Sequence, residues 1–185
     1  ARLCLSCHFG TSKKFVNHRM MGAGHPRLRF ELDLFTEIQP AHFAVDVDYR
    51  QRKAFSNGVR TWAVGQAVIL RKYLALLRDP KRNRDGAFPE LVFYECHSCH
   101  HPLENLAWQS RPGSGMAPGV IHLNDANIIM LRVIANHVAP DLAAALAAET
   151  RALLKAATVS LDAMTKAAAQ LDKTAAQLAL AITKN

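Results

Sequence analysis

Two copies of one pentapeptide, Cys4-Leu5-Ser6-Cys7-His8 and Cys96-His97-Ser98-Cys99-His100, use all four cysteines of this 185-residue chain. On one turn of helix, residues at i, i+3 and i+4 share a face. Two thiols can then add to the vinyl groups of a haem while the histidine that follows reaches its iron. Cys4, Cys7 and His8 meet that requirement, as do Cys96, Cys99 and His100. The residues therefore point to two covalently bound c-type haems, with His8 and His100 as proximal iron ligands. A zinc site made of two Cys-x-x-Cys knuckles or a pair of redox dithiols leaves the histidine after each second cysteine unexplained. The gap from Cys7 to Cys96 is also far longer than a zinc ribbon uses.

Each iron needs a sixth ligand. Outside the motifs the pool comprises His18, His25, His42, His122 and His137, with Met20, Met21, Met116, Met130 and Met164. Histidine is an ordinary haem ligand, whereas methionine raises the potential. His18, His25 and His42 all lie between the first motif and the first long helical pattern, and this clustering points to bis-histidine ligation. Gly24 before His25 permits close backbone approach and Pro26 after it stiffens the loop. His18 can fold back over either haem, and His42, just after Pro40, is the third candidate. His122 and His137 rank behind them; His137 sits near a helix end, where its charge suits the dipole. His97 and His101 are read as propionate or solvent contacts, and the methionines as core.

The elements that must position these groups are read from periodicity. Residues 1 to about 45 carry Phe9-Gly10-Thr11, Gly22-Ala23-Gly24-His25-Pro26 and Gln39-Pro40, which interrupt any long pattern and predict an irregular haem-wrapping segment. A short helix is expected over about 43–56, stopped by Asn57-Gly58, and a long one from about Thr61 to Arg78, ended by Asp79-Pro80. A second irregular wrap runs through Arg111-Pro112-Gly113-Ser114-Gly115 and Ala117-Pro118-Gly119. The alanine-rich remainder predicts helices over about 125–137, 141–157 and 160–183, with Asp125, Asp141 and Ser160 near their starts. In the last of these Leu161, Met164, Ala168, Leu171, Ala175, Leu178 and Ile182 form a heptad-like seam. Its partner is either an intrachain hairpin with 141–157 or a second molecule. The fold class is thus mainly α: irregular haem-wrapping loops plus helices, with residues 1–122 as a dihaem region and 123–185 as a C-terminal helical hairpin or bundle that packs on it or forms an interface.

Half the residues are hydrophobic, enough for a packed core, and the formal charge is +8. So basic a balance suits nucleic acid or an anionic membrane, but four haem propionates would offset about half of it. The basicity is read instead as propionate partnering and steering of an acidic redox partner. No run approaches the roughly 18 apolar residues of a membrane span, and no leader with a charged n-region and apolar h-region is present. Covalent haem attachment takes place outside the cytoplasm, so a leader is expected to have been removed and the chain to be periplasmic or extracellular. Cys4 stands close to the first residue, which is expected of a first haem covered by another chain or of a trimmed longer parent.

The chain also resembles a known family. Val16-x-His18-x-Met20, Ala23-Gly24-His25-Pro26-x-Leu28-x-Phe30-Glu31, Pro40-x-His42-Phe43 and Pro89-Glu90-Leu91 with Cys96-x-x-Cys99-His100-His101 are similar to the closing two-haem region of multihaem c-type cytochromes related to the tetrahaem electron carriers of nitrifying bacteria. The resemblance runs from about residue 3 to 120. It implies a mostly helical haem-packing fold, bis-histidine haems, and His18 and His25 as distal ligands with His42 as the third contender. The upstream haem sites of such relatives have no counterpart here. The expected function is electron transfer between partner proteins rather than catalysis. The alternatives are a dihaem peroxidase or small-oxide reductase with one open iron, served by Arg19, Arg27 or Glu31, and a subunit of a larger multihaem assembly joined through the C-terminal helices.

Overall fold

The computed structural model describes residues 2–29, 31–40, 44–53, 57–86, 88–102, 104 and 110–184. Its elements are helices: α1 Arg2–His8, α2 His18–Gly22, α3 Leu32–Ile38, α4 Val47–Arg52, α5 Gly58–Arg78, α6 Ala126–Val138, α7 Pro140–Ala157 and α8 Leu161–Lys184, with 3₁₀ turns at Leu91–Phe93 and Cys96–Ser98. Among the described residues no strand forms, and Tyr94 pairs with Leu123 in an isolated antiparallel bridge. The mainly α reading holds.

α5 starts earlier than its periodicity predicts. Asn57, read as a stop, is its N-cap, and the Asn57 side chain accepts the Arg60 N–H at 2.7 Å. One face then buries Ala63, Ala67, Leu70, Leu74 and Leu77, spaced by three and four as a core-facing stripe requires. The helix before it is shorter than expected, covering Val47–Arg52 with Asp46 as cap. Asp125 and Asp141 lie at helix starts as expected, but neither makes a capping bond. The Asp125 carboxylate is engaged by Arg111. α7 begins at Pro140, where the missing N–H and fixed φ suit a first helical turn, so Asp141 sits inside that turn rather than capping it. Ser160 caps α8 as expected, its hydroxyl accepting the Ala163 N–H at 3.1 Å.

α5 packs along α8, α8 against α7, and α6 against both α5 and α7. Met164, Ala168, Leu171, Ala175 and Leu178 of the α8 seam are fully buried, so the seam is spent inside the chain, on α5 as well as α7. A buried leucine of this kind contributes about 1.5–3 kcal/mol. The resulting core runs without a break from Ala63 to Ile182 and gives α5 a rigid seat. Arg71 and Arg78 of α5 both reach Asp172 of α8, at 2.8 and 3.1 Å.

The N-terminal third is built differently, from helices of five to seven residues. Its own buried cluster is Leu5 against Ile69 of α5, with Phe9, Phe35 and Val68 around them. Leu34, Ile38 and Val47 remain exposed at 52%, 69% and 72%, apolar surface that these short elements do not cover for one another. α5 is therefore the platform of both regions.

Candidate haem-attachment sites

The first motif lies on α1, so Cys4, Cys7 and His8 follow one helical turn. Leu5 between them is 3% exposed and pins the turn to Ile69 of α5. The next residues fold the chain back on it. Gly10 has φ +107°, and a side chain there would meet the Lys14 carbonyl oxygen at 2.7 Å, so only glycine fits. Thr11 N–H then donates to the Lys14 carbonyl at 2.7 Å and Lys14 N–H to the Thr11 carbonyl at 3.2 Å. This tight turn returns the Lys14 ammonium to 3.3 Å from Cys7 Sγ. Lys14, and less so the Ser6 hydroxyl, hold the exposed Cys7 thiol below the usual cysteine range. The His8 ring meets the edge of Phe35, 5.7 Å between centres at 61°.

The second motif is held by its flanks. Tyr73 of α5 donates its hydroxyl to the Phe93 carbonyl at 2.7 Å, and Phe93 is 2% exposed. Asn124 N–H donates to the same carbonyl at 2.8 Å and Glu95 N–H to the His122 carbonyl at 3.0 Å. From this base Cys96–His100 closes a turn, with Cys99 and His100 N–H donating to the Cys96 carbonyl at 3.2 and 2.8 Å. The last bond spans four residues, so Cys96 and His100 stand one helical turn apart. Arg27 donates to Cys96 Sγ at 3.1 Å and to the Val92 carbonyl at 3.4 Å.

His18 faces this second motif. Its ring centre lies 6.2 Å from that of His100 with 27° between the planes. An imidazole nitrogen bonds a first-row metal at about 2.0 Å, and the ring centre lies roughly 1 Å further on, so two rings sharing one metal stand about 6 Å apart. The distance between the ring centres matches that value, and the two rings are stacked. Glu90 sets the spacing: its carboxylate, 3% exposed, accepts the His18 N–H at 2.8 Å and the Val92 N–H at 2.7 Å. Asn17 caps α2 through the Met20 N–H at 3.0 Å and donates to Asp85 at 2.7 Å. The start of α2 is thereby tied to the loop that carries the second motif.

His25 is exposed on the loop after α2. Its Nδ1 lies 2.7 Å from the Pro26 carbonyl. A carbonyl only accepts, so Nδ1 carries the proton and Nε2 keeps the lone pair a metal needs. His18, by contrast, meets the second motif through the His100 ring. His42 lies outside the described residues. His122 is part of the second site in another role, with Nδ1 3.3 Å from the Ser98 hydroxyl inside the motif. Burial, then the nearby Arg111 charge, hold its imidazole below the usual histidine range. His137 is exposed in the last turn of α6. Met164 is core as expected, but Met20 and Met130 are exposed. Of the groups read as distal-pocket candidates, Arg27 serves Cys96, and Glu31 accepts from Gln66 at 2.9 Å, which in turn accepts from Asn127 at 2.7 Å.

No family model, curated protein or solved structure matches this chain. Cys7, Cys96 and Cys99 form no disulfide. Among the described residues no three histidines, cysteines or carboxylates converge as a zinc centre requires. Among the described residues no helix is long and apolar enough to cross a membrane.

Proposed function

We propose that the chain is a dihaem c-type cytochrome that passes electrons between redox partners outside the cytoplasm. The observation that carries this reading is the second site, where a motif turn presents His100 at the spacing from His18 that one metal between two imidazoles demands. The first site repeats the motif on a helical turn, and the exposed apolar residues of the N-terminal third suit a large flat apolar group. Haem supplies a one-electron couple at each site. The chain's residues anchor and orient it: Cys4 and Cys7, and Cys96 and Cys99, hold the two groups covalently; His8 and His100 are the proximal ligands. His18 serves as the distal ligand opposite His100. His25 and His42 are the candidates for the iron at His8. Two histidines on each iron leave no position for a substrate, which favours electron transfer over peroxidase or reductase chemistry.

The test is a low-temperature paramagnetic resonance spectrum of the oxidised protein matured in a c-type haem system. Two low-spin bis-histidine signals are expected. A high-spin signal amounting to one full haem at neutral pH would overturn the carrier assignment.

A further inference from the structure

Resting on the electron-transfer reading, the geometry points to a basic face beside the first motif as the docking surface for an acidic redox protein. Two loops build it. One is the closed Thr11–Lys14 turn. The other follows α5, where the Asp79 carboxylate accepts the Lys81 N–H at 2.9 Å and its carbonyl accepts those of Arg82 and Asn83 at 2.9 and 2.8 Å. Arg82 clamps the two together, donating through Nε to the Ser12 carbonyl at 2.7 Å and lying 5.7 Å over the Phe15 ring.

The clamp sets Lys13 and Lys14 beside Lys81 and Arg84, all four exposed. With Arg82 they make five cations. The carboxylates on the same two loops are Asp79, spent on its turn, and Asp85, which accepts from Asn17. The surface keeps a strong positive excess, and the Lys14 ammonium carries it to the Cys7 sulfur itself. An acidic partner drawn to these charges would arrive at the covalent edge of the first haem, where transfer distance is shortest. The stretches that carry the cations, 11–14 and 79–86, present no large exposed hydrophobic residue; Phe88, 37% exposed, lies beyond them. A charged surface without apolar anchors suits a steered, transient protein encounter, whereas a membrane-bound face needs side chains to insert.

The experiment follows reduction of the oxidised dihaem protein by a plant-type ferredoxin, an acidic donor of low potential, in a stopped-flow instrument at low ionic strength. One electron leaves the iron–sulfur centre and one ferric haem becomes ferrous. The triple variant Lys13→Glu, Lys81→Glu, Arg84→Glu is expected to react about tenfold more slowly, and added salt should slow the wild type towards the same rate. The triple Lys155→Glu, Lys173→Glu, Lys184→Glu makes the same change of charge on exposed positions of α7 and α8 and should react like the wild type. Equal slowing in both triples, or a wild-type rate indifferent to salt, would overturn the assignment. So would unchanged ferredoxin rates with loss of binding to phosphatidylserine vesicles in the first triple, which would give the face to a membrane. Failure of the electron-transfer reading shows separately, as a protein with no haem absorbance to follow.

Discussion

Glu90 joins the two halves of the second site. Its buried carboxylate takes two backbone N–H groups, one at His18, 72 residues away in the chain, and one at Val92, two residues on. Glu90→Ala leaves both donors without their acceptor, at a cost of about 2–4 kcal/mol, to be read from denaturant melts. The same variant should lose part of the low-spin signal, because the distal imidazole is no longer held at its spacing. Full retention of both would remove Glu90 from the site. His18→Ala should convert one haem, the one at His100, to high spin and make it bind carbon monoxide promptly; an unchanged spectrum would exclude His18 as a ligand. Gly10→Ala drives a methyl group into the Lys14 carbonyl at a left-handed φ, with an expected loss of about 1–3 kcal/mol in thermal or chemical unfolding. The two pentapeptides stood out in the sequence because the thiol and imidazole chemistry of haem attachment would fix such a spacing. Glu90 was visible only as part of a motif with no role, since its partner is remote in the chain and no local pattern encodes the bond.

The loop carrying Leu123 pairs with the strand-like stretch before the second motif, and this brings His122 to Ser98. Sequence reading ranked His122 only as a trailing ligand candidate, since a single antiparallel bridge leaves no periodic signature. Its titration gives the loop a pH dependence. Burial lowers the folded-state pKa below the ordinary value of about 6.5, so between the two values the unfolded chain binds more protons. Its contribution is therefore present above about pH 6.5 and is lost as pH falls through the lower folded value. Melting temperature should drop from about pH 7.5 to about pH 5, and drop less in His122→Asn; equal drops would refute the role. The long helices, by contrast, were legible to within a few residues, because stripes such as Ala63-Ala67-Leu70-Leu74 repeat a single period over many turns. Their caps were less so. Asp125 has the right type for a cap, but a stronger partner, Arg111, claims its carboxylate.

The molecule divides its labour between a dense bundle and a sparse wrap, joined on α5. Leu171→Ala, in the middle of the fully buried α8 seam, should cost about 2–5 kcal/mol in chemical denaturation. A loss under about 1 kcal/mol would mean the seam does not hold the core. The intrachain use of that seam could not be decided from its heptad spacing, which suits a neighbour in the same chain or in another. What decided it was α5, whose stripe supplies the second wall of the core. The N-terminal wrap was read as irregular from its glycines and prolines, and its short helices bear this out. The most direct test of the whole account is the intact mass of the chain after maturation in a c-type haem system, measured under denaturing conditions. A gain of two haems with no thiol left to alkylate is expected. The mass of the bare polypeptide, with all four cysteines free to react, would contradict it.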